Sequence, residues 1–196
     1  MRRRLFFAIN FDSRTIAALR NLASGTQDRL GWEHADRFRF TEEETWHLTV
    51  LFLGEQDDGE LTGIMRAAKE AVQNFTSPEI ILENVAYAPR KDAPRMIWVA
   101  AAAPSSRIMG DMRNFLEGRL VEERVPFPSD HRPFSGHVTF ARLSNTLKSG
   151  VGNLPDIEQA AHIVCVPASL DLMESELSQK GATYTILQKF PFSGDN

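Results

Sequence analysis

A single cysteine, Cys165, stands among apolar neighbours in AHIVCVPASL, so no disulfide framework can hold this 196-residue chain together. The expected reading is a buried, inert thiol in a reducing, cytoplasmic setting. No stretch reaches the roughly 20 apolar residues that a membrane-spanning helix needs. The opening, MRRRLFFAINFDS, is basic and then apolar, as in a secretory leader. Its apolar run from Leu5 to Ile9 is too short for that role, and polar Asn10 and Asp12 come directly after it. Excess positive charge is lacking too, since the formal net charge is −4. That argues against a broad, non-specific nucleic-acid binder but leaves room for a small site with local cations. Low-complexity tracts and long linkers are absent, and no His/Asp/Glu cluster falls at metal-ligand spacing. The sequence therefore predicts no metal, no other cofactor, no membrane contact and no obligatory protein partner.

What is present suits a globular fold. Hydrophobic residues make up 42% of the chain and charged residues 24%, and the length supports a real core. Leu5–Phe11 reads as a buried first strand. Ile16, Leu19, Leu22 and Leu30 mark one face of a helix, with Asp12 or Ser13 as its N-cap. A short strand is expected at Arg37–Phe40 and a longer one from Thr45 to Leu53, ending at Gly54. Helical spacing returns over Leu61, Ile64, Met65, Ala68 and Val72. Strands are expected next at Glu79–Ala88 and Arg95–Ala103, around the basic loop PRKDAP. A helix through Ile108, Met112, Phe115, Leu116 and Leu120 precedes a strand at His137–Leu143. HIVCVPASLDLME and ATYTILQKFPF read as a closing pair of strands, with SELSQKGA as their linker. The fold class expected is α+β, one domain over 1–196 with two pseudo-symmetric lobes of mainly antiparallel sheet, outer helices and a cleft between the lobes.

Only five histidines occur, yet two stand in one pattern, His47-Leu48-Thr49-Val50 and His137-Val138-Thr139-Phe140. On a strand, residues i and i+2 share a face. His47 and Thr49 therefore point together while Trp46, Leu48 and Val50 point into packing, and His137 and Thr139 repeat the arrangement. Two such strands brought together give a cavity with two imidazoles and two hydroxyls. One imidazole can remove a proton while the other supplies one, as displacement at phosphorus requires. Imidazole suits both tasks because its unperturbed pKa lies near 6.5. Taken alone, a histidine on a half-buried strand is more often structural. Recurrence of the whole pattern favours chemistry.

These motifs resemble those of the two-histidine phosphoesterase superfamily, and most closely its LigT-like branch of RNA 2′,3′-cyclic phosphodiesterases, also called the 2′–5′ RNA ligase family. The resemblance extends along nearly the whole chain. It takes in RLFFAI at Arg4–Ile9, HLTVLFLGE, PRMIWVA at Pro94–Ala100, GHVTFAR and the ending SELSQKGATYTIL. Gly136 departs from the family pattern, which usually has Pro before the second histidine. The resemblance implies that His47 is the general acid and His137 the general base. It also implies that Thr49 and Thr139 hold phosphate oxygens and that no metal takes part. The implied substrate is RNA or a nucleotide with a 2′,3′-cyclic phosphate end, opened to a 2′-phosphomonoester. Another small cyclic or 2′–5′ linked nucleotide, the reverse ligation, and RNA-end binding without turnover are the alternatives.

Phe52 and Arg142 each stand five residues beyond a motif histidine. An aromatic face and a guanidinium are well suited to stack on a base. Both are carried as substrate-binding candidates. Strict alternation nevertheless places them opposite the histidines, so either the strands bulge or Phe52 is core and Arg142 an ion-pair partner. That logic inclines Phe52 towards the core, while the resemblance favours a binding role for Arg142. His131 and Arg132 fit a cleft mouth or a surface loop equally well. His34 and His162 read as structural or solvated, Arg2 to Arg4 as a solvated terminus, and Trp46 and Trp98 as core.

Overall fold

The computed structural model describes residues 2–144, 153–178 and 181–193. Strand β1 (Arg3–Asn10) buries five residues in succession, Leu5 to Ile9, because both its faces are covered. Leu5, Phe7 and Ile9 join the main core, while Phe6 and Ala8 turn the other way into a small cluster with Met173 and Tyr184. Each such fully buried large side chain contributes roughly 1.5–3 kcal/mol. Helix α1 (Ser13–Leu30) starts on Asp12, whose carboxylate accepts the Thr15 amide hydrogen at 2.7 Å.

Next come β2 (Phe38–Phe40), β3 (His47–Gln56), α2 (Leu61–Asn74), β4 (Ile80–Ala88), β5 (Met96–Ala101), α3 (Ala103–Glu122) and β6 (His137–Leu143). The chain closes with β7 (Gln159–Cys165), β8 (Ser169–Ser178) and β9 (Gly181–Pro191). Two antiparallel sheets result, one in the order β3-β1-β8-β9 and the other β2-β6-β5-β4-β7. Helices α2 and α3 pack on one another, with α2 also meeting β8 and β9 and α3 meeting β3 and β4. The architecture is the expected α+β one with two antiparallel sheets. No helix among the described residues is long and apolar enough to cross a membrane.

The two sheets do not follow the two halves of the chain: β2 joins the second sheet, while β8 and β9 return to flank β1 in the first. Three expectations need correction. HIVCVPASLDLME is not one strand. It divides at Val166–Ala168, where Pro167 can donate no ladder hydrogen bond, and its two parts pair with β4 and β1 in different sheets. Ser175 to Ser178, expected in a linker, continue β8, and Gln179 and Lys180 of that linker lie outside the described residues. Gly54 does not end its strand either. It pairs with Leu5 at φ +75°, a conformation glycine adopts without strain, and β3 continues to Gln56.

Candidate active site

The two histidine strands share a local irregularity. Along β3, Phe7 faces Leu51 and Ala8 faces Thr49, which leaves Val50 as an extra residue. Along β6, Ile97 faces Ala141 and Trp98 faces Thr139, which leaves Phe140 extra. Each is a β-bulge, with two inward residues in succession: Val50 and Leu51, then Phe140 and Ala141. Beyond each bulge the faces exchange, so Phe52 and Arg142 return to the side that carries the histidines and threonines. The inclination of Phe52 towards the core is thereby corrected, since the ring is 48% exposed. Arg142 is exposed as well.

Thr41 fastens the second bulge. Its amide donates to the Phe140 carbonyl at 2.8 Å, and its hydroxyl donates to the Thr139 and Phe140 carbonyls at 3.0 and 3.1 Å. The same hydroxyl accepts the Trp46 indole hydrogen at 3.0 Å. Trp46 precedes His47 and lies 5.3 Å from the Phe140 ring, so the approach to one histidine is tied to the bulge beyond the other.

Both imidazoles are oriented alike. His47 Nδ1 lies 2.8 Å from the Thr45 carbonyl, and His137 Nδ1 lies 2.9 Å from the Ser135 carbonyl. A carbonyl only accepts, so each Nδ1 carries the proton and each Nε2 is left for a ligand. Around His47 stand Phe6 at 5.1 Å and the edge of Tyr184 at 4.8 Å, centroid to centroid. Trp98 lies 4.1 Å from His137. Its expected place in the core is wrong, because it is half-buried against that imidazole. Gly136, before the second histidine, donates its amide hydrogen to Ser106 Oγ at 3.2 Å, which proline could not do.

Burial dominates the electrostatics of both rings. It pushes His47 down to about 4, with the Thr45 bond opposing and the positive charges of Arg142 and His137 assisting. His137 is also lowered, by burial first and Arg142 last, against its bond to Ser135. A group whose pKa is lower folded than unfolded is protonated first in the unfolded chain. The stability it contributes is therefore whole above about pH 6.5 and is lost as pH falls towards 4. For His47 that loss reaches at most about 3 kcal/mol. Urea unfolding of wild type and His47→Gln at pH 7 and pH 4.5 should show the larger acid loss in wild type. Equal losses would contradict the assignment.

His47, Thr49, Phe52, His137, Thr139 and Arg142 all line one cavity of about 380 Å³, within the roughly 300–1,000 Å³ common for small-ligand clefts. Arg39, Glu42, Met96 and Tyr184 join them. Sequence reasoning missed Arg39 and Tyr184; only the alternation in RFRF and ATYTIL hinted that their side chains leave the core. His131 and Arg132 do not line the cavity. Arg132 pairs with Asp130 at 2.7 Å on an exposed loop, and His131 sits 3.4 Å from Ser129 Oγ. His162 is exposed and His34 half-buried in a turn, both away from the cavity, while Arg3 pairs with Asp58 at 3.0 Å. Cys165 is a buried free thiol, its pKa pushed up to about 11 by burial.

The fold that carries this paired-histidine cleft is similar to that of known phosphoesterases. Residues 13–98 match the family described as LigT-like phosphoesterase. An RNA 2′,3′-cyclic phosphodiesterase of Thermus thermophilus is 28% identical over 195 residues, covering 98% of this chain and 92% of the relative. One from Methanothermobacter thermautotrophicus is 26% identical over 192 residues, covering 97% and 99%. Among solved structures, a Thermus thermophilus protein superposes with a TM-score of 0.76 at 27% identity, covering 98% of this chain and all (100%) of the other. Escherichia coli LigT complexed with 3′-AMP shares the fold, with a TM-score of 0.67, 18% identity and coverage of 98% and 99%. Along nearly its whole length the chain is similar in sequence and fold to these phosphoesterases.

Proposed function

We propose that the protein hydrolyses 2′,3′-cyclic phosphate ends of RNA to 2′-phosphomonoesters without a metal. The observation that carries this reading is the matched pair of imidazoles, each with Nδ1 on the carbonyl two residues earlier and Nε2 left for a ligand. His137 Nε2 takes a proton from water as the water oxygen bonds to phosphorus. His47, as imidazolium, gives its proton to O3′ as the P–O3′ bond breaks. One water is consumed, and a 3′-hydroxyl and a 2′-phosphate result. Thr49 and Thr139 donate hydrogen bonds to the non-bridging oxygens, where charge accumulates. Phe52 and Arg142, on the same face, contact the nucleotide. Anionic substrate entering the cleft offsets the burial that depresses both imidazoles and draws the required proton onto His47.

The pH–rate profile tests the acid–base pair. One imidazole must be charged while the other is neutral, so kcat/KM should be bell-shaped. With His47 held near 4 and His137 below its ordinary 6.5 in the empty cleft, its maximum should fall between those limits. The kcat profile should lie at higher pH, because bound phosphate raises both groups. Rates independent of pH from 4 to 8 would dismiss the mechanism.

A further inference from the structure

Among the described residues the two sheets correspond in strand order, β3 with β6, β1 with β5, β8 with β4 and β9 with β7, and β2 has no counterpart. This short strand pairs with β6 and sets Arg39 directly across from Arg142. Both side chains are exposed and both line the cavity. Directly opposed residues of an antiparallel pair share a face with Cβ atoms about 5 Å apart, where like charges destabilise the sheet. Glu42 is the one carboxylate among the described lining residues, so the cavity end is balanced towards positive charge although the chain as a whole is acidic. From the other sheet, Gly181 comes so close that a Cβ there would lie 3.3 Å from Arg39 Nη2. Arg39 thus reaches from the second sheet towards β9 of the first while lining the cavity.

A cyclic phosphate held by the two histidines and two threonines leaves this basic pair one bulge further along β6 and one strand further out. We propose that Arg39 forms a second phosphate subsite, for the internucleotide phosphate on the 5′ side of the terminal nucleotide. A guanidinium matches a phosphate bidentately, and a phosphate between two opposed arginines can be contacted from both sides. The cleft is then built for the end of a polynucleotide rather than for a free cyclic mononucleotide. This inference rests on the proposed opening of a 2′,3′-cyclic phosphate and specifies its substrate class.

Three probes test it: 2′,3′-cyclic AMP, a diadenylate ending in the same cyclic phosphate, and that diadenylate with an uncharged methylphosphonate linkage. Wild type should favour the natural dinucleotide over the other two by about tenfold or more in kcat/KM, as expected for a hydrogen bond to a charged group at an exposed site. Arg39→Gln should reduce that preference about tenfold, and Arg39→Lys should retain part of it. Thermal unfolding of both variants should stay close to wild type. The inference is overturned if wild type treats all three probes alike, or if Arg39→Gln lowers all three rates equally. Turnover of none of the probes by wild type would instead overthrow the cyclic-phosphate reading itself, and the subsite with it.

Discussion

Alanine in place of His47 or of His137 should each lower kcat on a 2′,3′-cyclic phosphate by at least about a hundredfold, since general acid and general base contributions typically run from 10²- to 10⁴-fold. The two rings are half-buried, and their hydrogen bonds go to carbonyls two residues earlier. Their ring neighbours Phe6, Tyr184 and Trp98 lie in the same sheet as the histidine they touch, so none of these contacts joins one sheet to the other. Folding should therefore survive, as far-ultraviolet circular dichroism would show. The double variant should lose less than the product of the single losses, because residues acting as a unit are non-additive. Near-normal turnover by either single variant would refute the paired mechanism.

Phe140→Ala should cost about 3–5 kcal/mol of stability, the range for emptying a fully buried aromatic site. Phe140 is the extra residue of the β6 bulge and packs against Trp46, and its carbonyl takes two hydrogen bonds from Thr41. Losing its ring loosens the element that returns Arg142 to the histidine face. Urea unfolding would measure the loss, and surviving activity should show a raised KM. A destabilisation below about 1 kcal/mol would mean that the bulge does not depend on this packing.

Much of the site was legible because period two is a strong constraint. His47 with Thr49 and His137 with Thr139 fall on one face wherever those segments are extended, and Leu48 and Val138 behind them are fully buried. The bulges were the hidden step. Period-two reading assumes an unbroken ladder, and one extra residue reverses every face beyond it. A trace existed in the sequence, since apolar pairs, Val50-Leu51 and Phe140-Ala141, interrupt the alternation at the same offset after each histidine. Trp98 was misplaced for a related reason: an aromatic residue on a β-strand reads as core until its neighbour across the ladder is known to be a site strand. Tyr184 and Arg39 reach the cavity through pairings that no local pattern encodes. One lies on the last strand of the chain and the other on a three-residue strand. The split of β7 from β8 was equally non-local, because apolar runs carry no mark of the sheet they join.

The most direct measurement follows an oligonucleotide ending in a 2′,3′-cyclic phosphate by phosphorus NMR, with wild-type protein after exhaustive chelation. Proton transfer by two imidazoles and hydrogen bonds from two threonines need no metal, so the cyclic-phosphate signal should convert fully to that of a 2′-phosphomonoester at the rate seen before chelation. Turnover that disappears with chelation and returns with a divalent ion, or a product carrying its phosphate on the 3′ oxygen, would contradict the account.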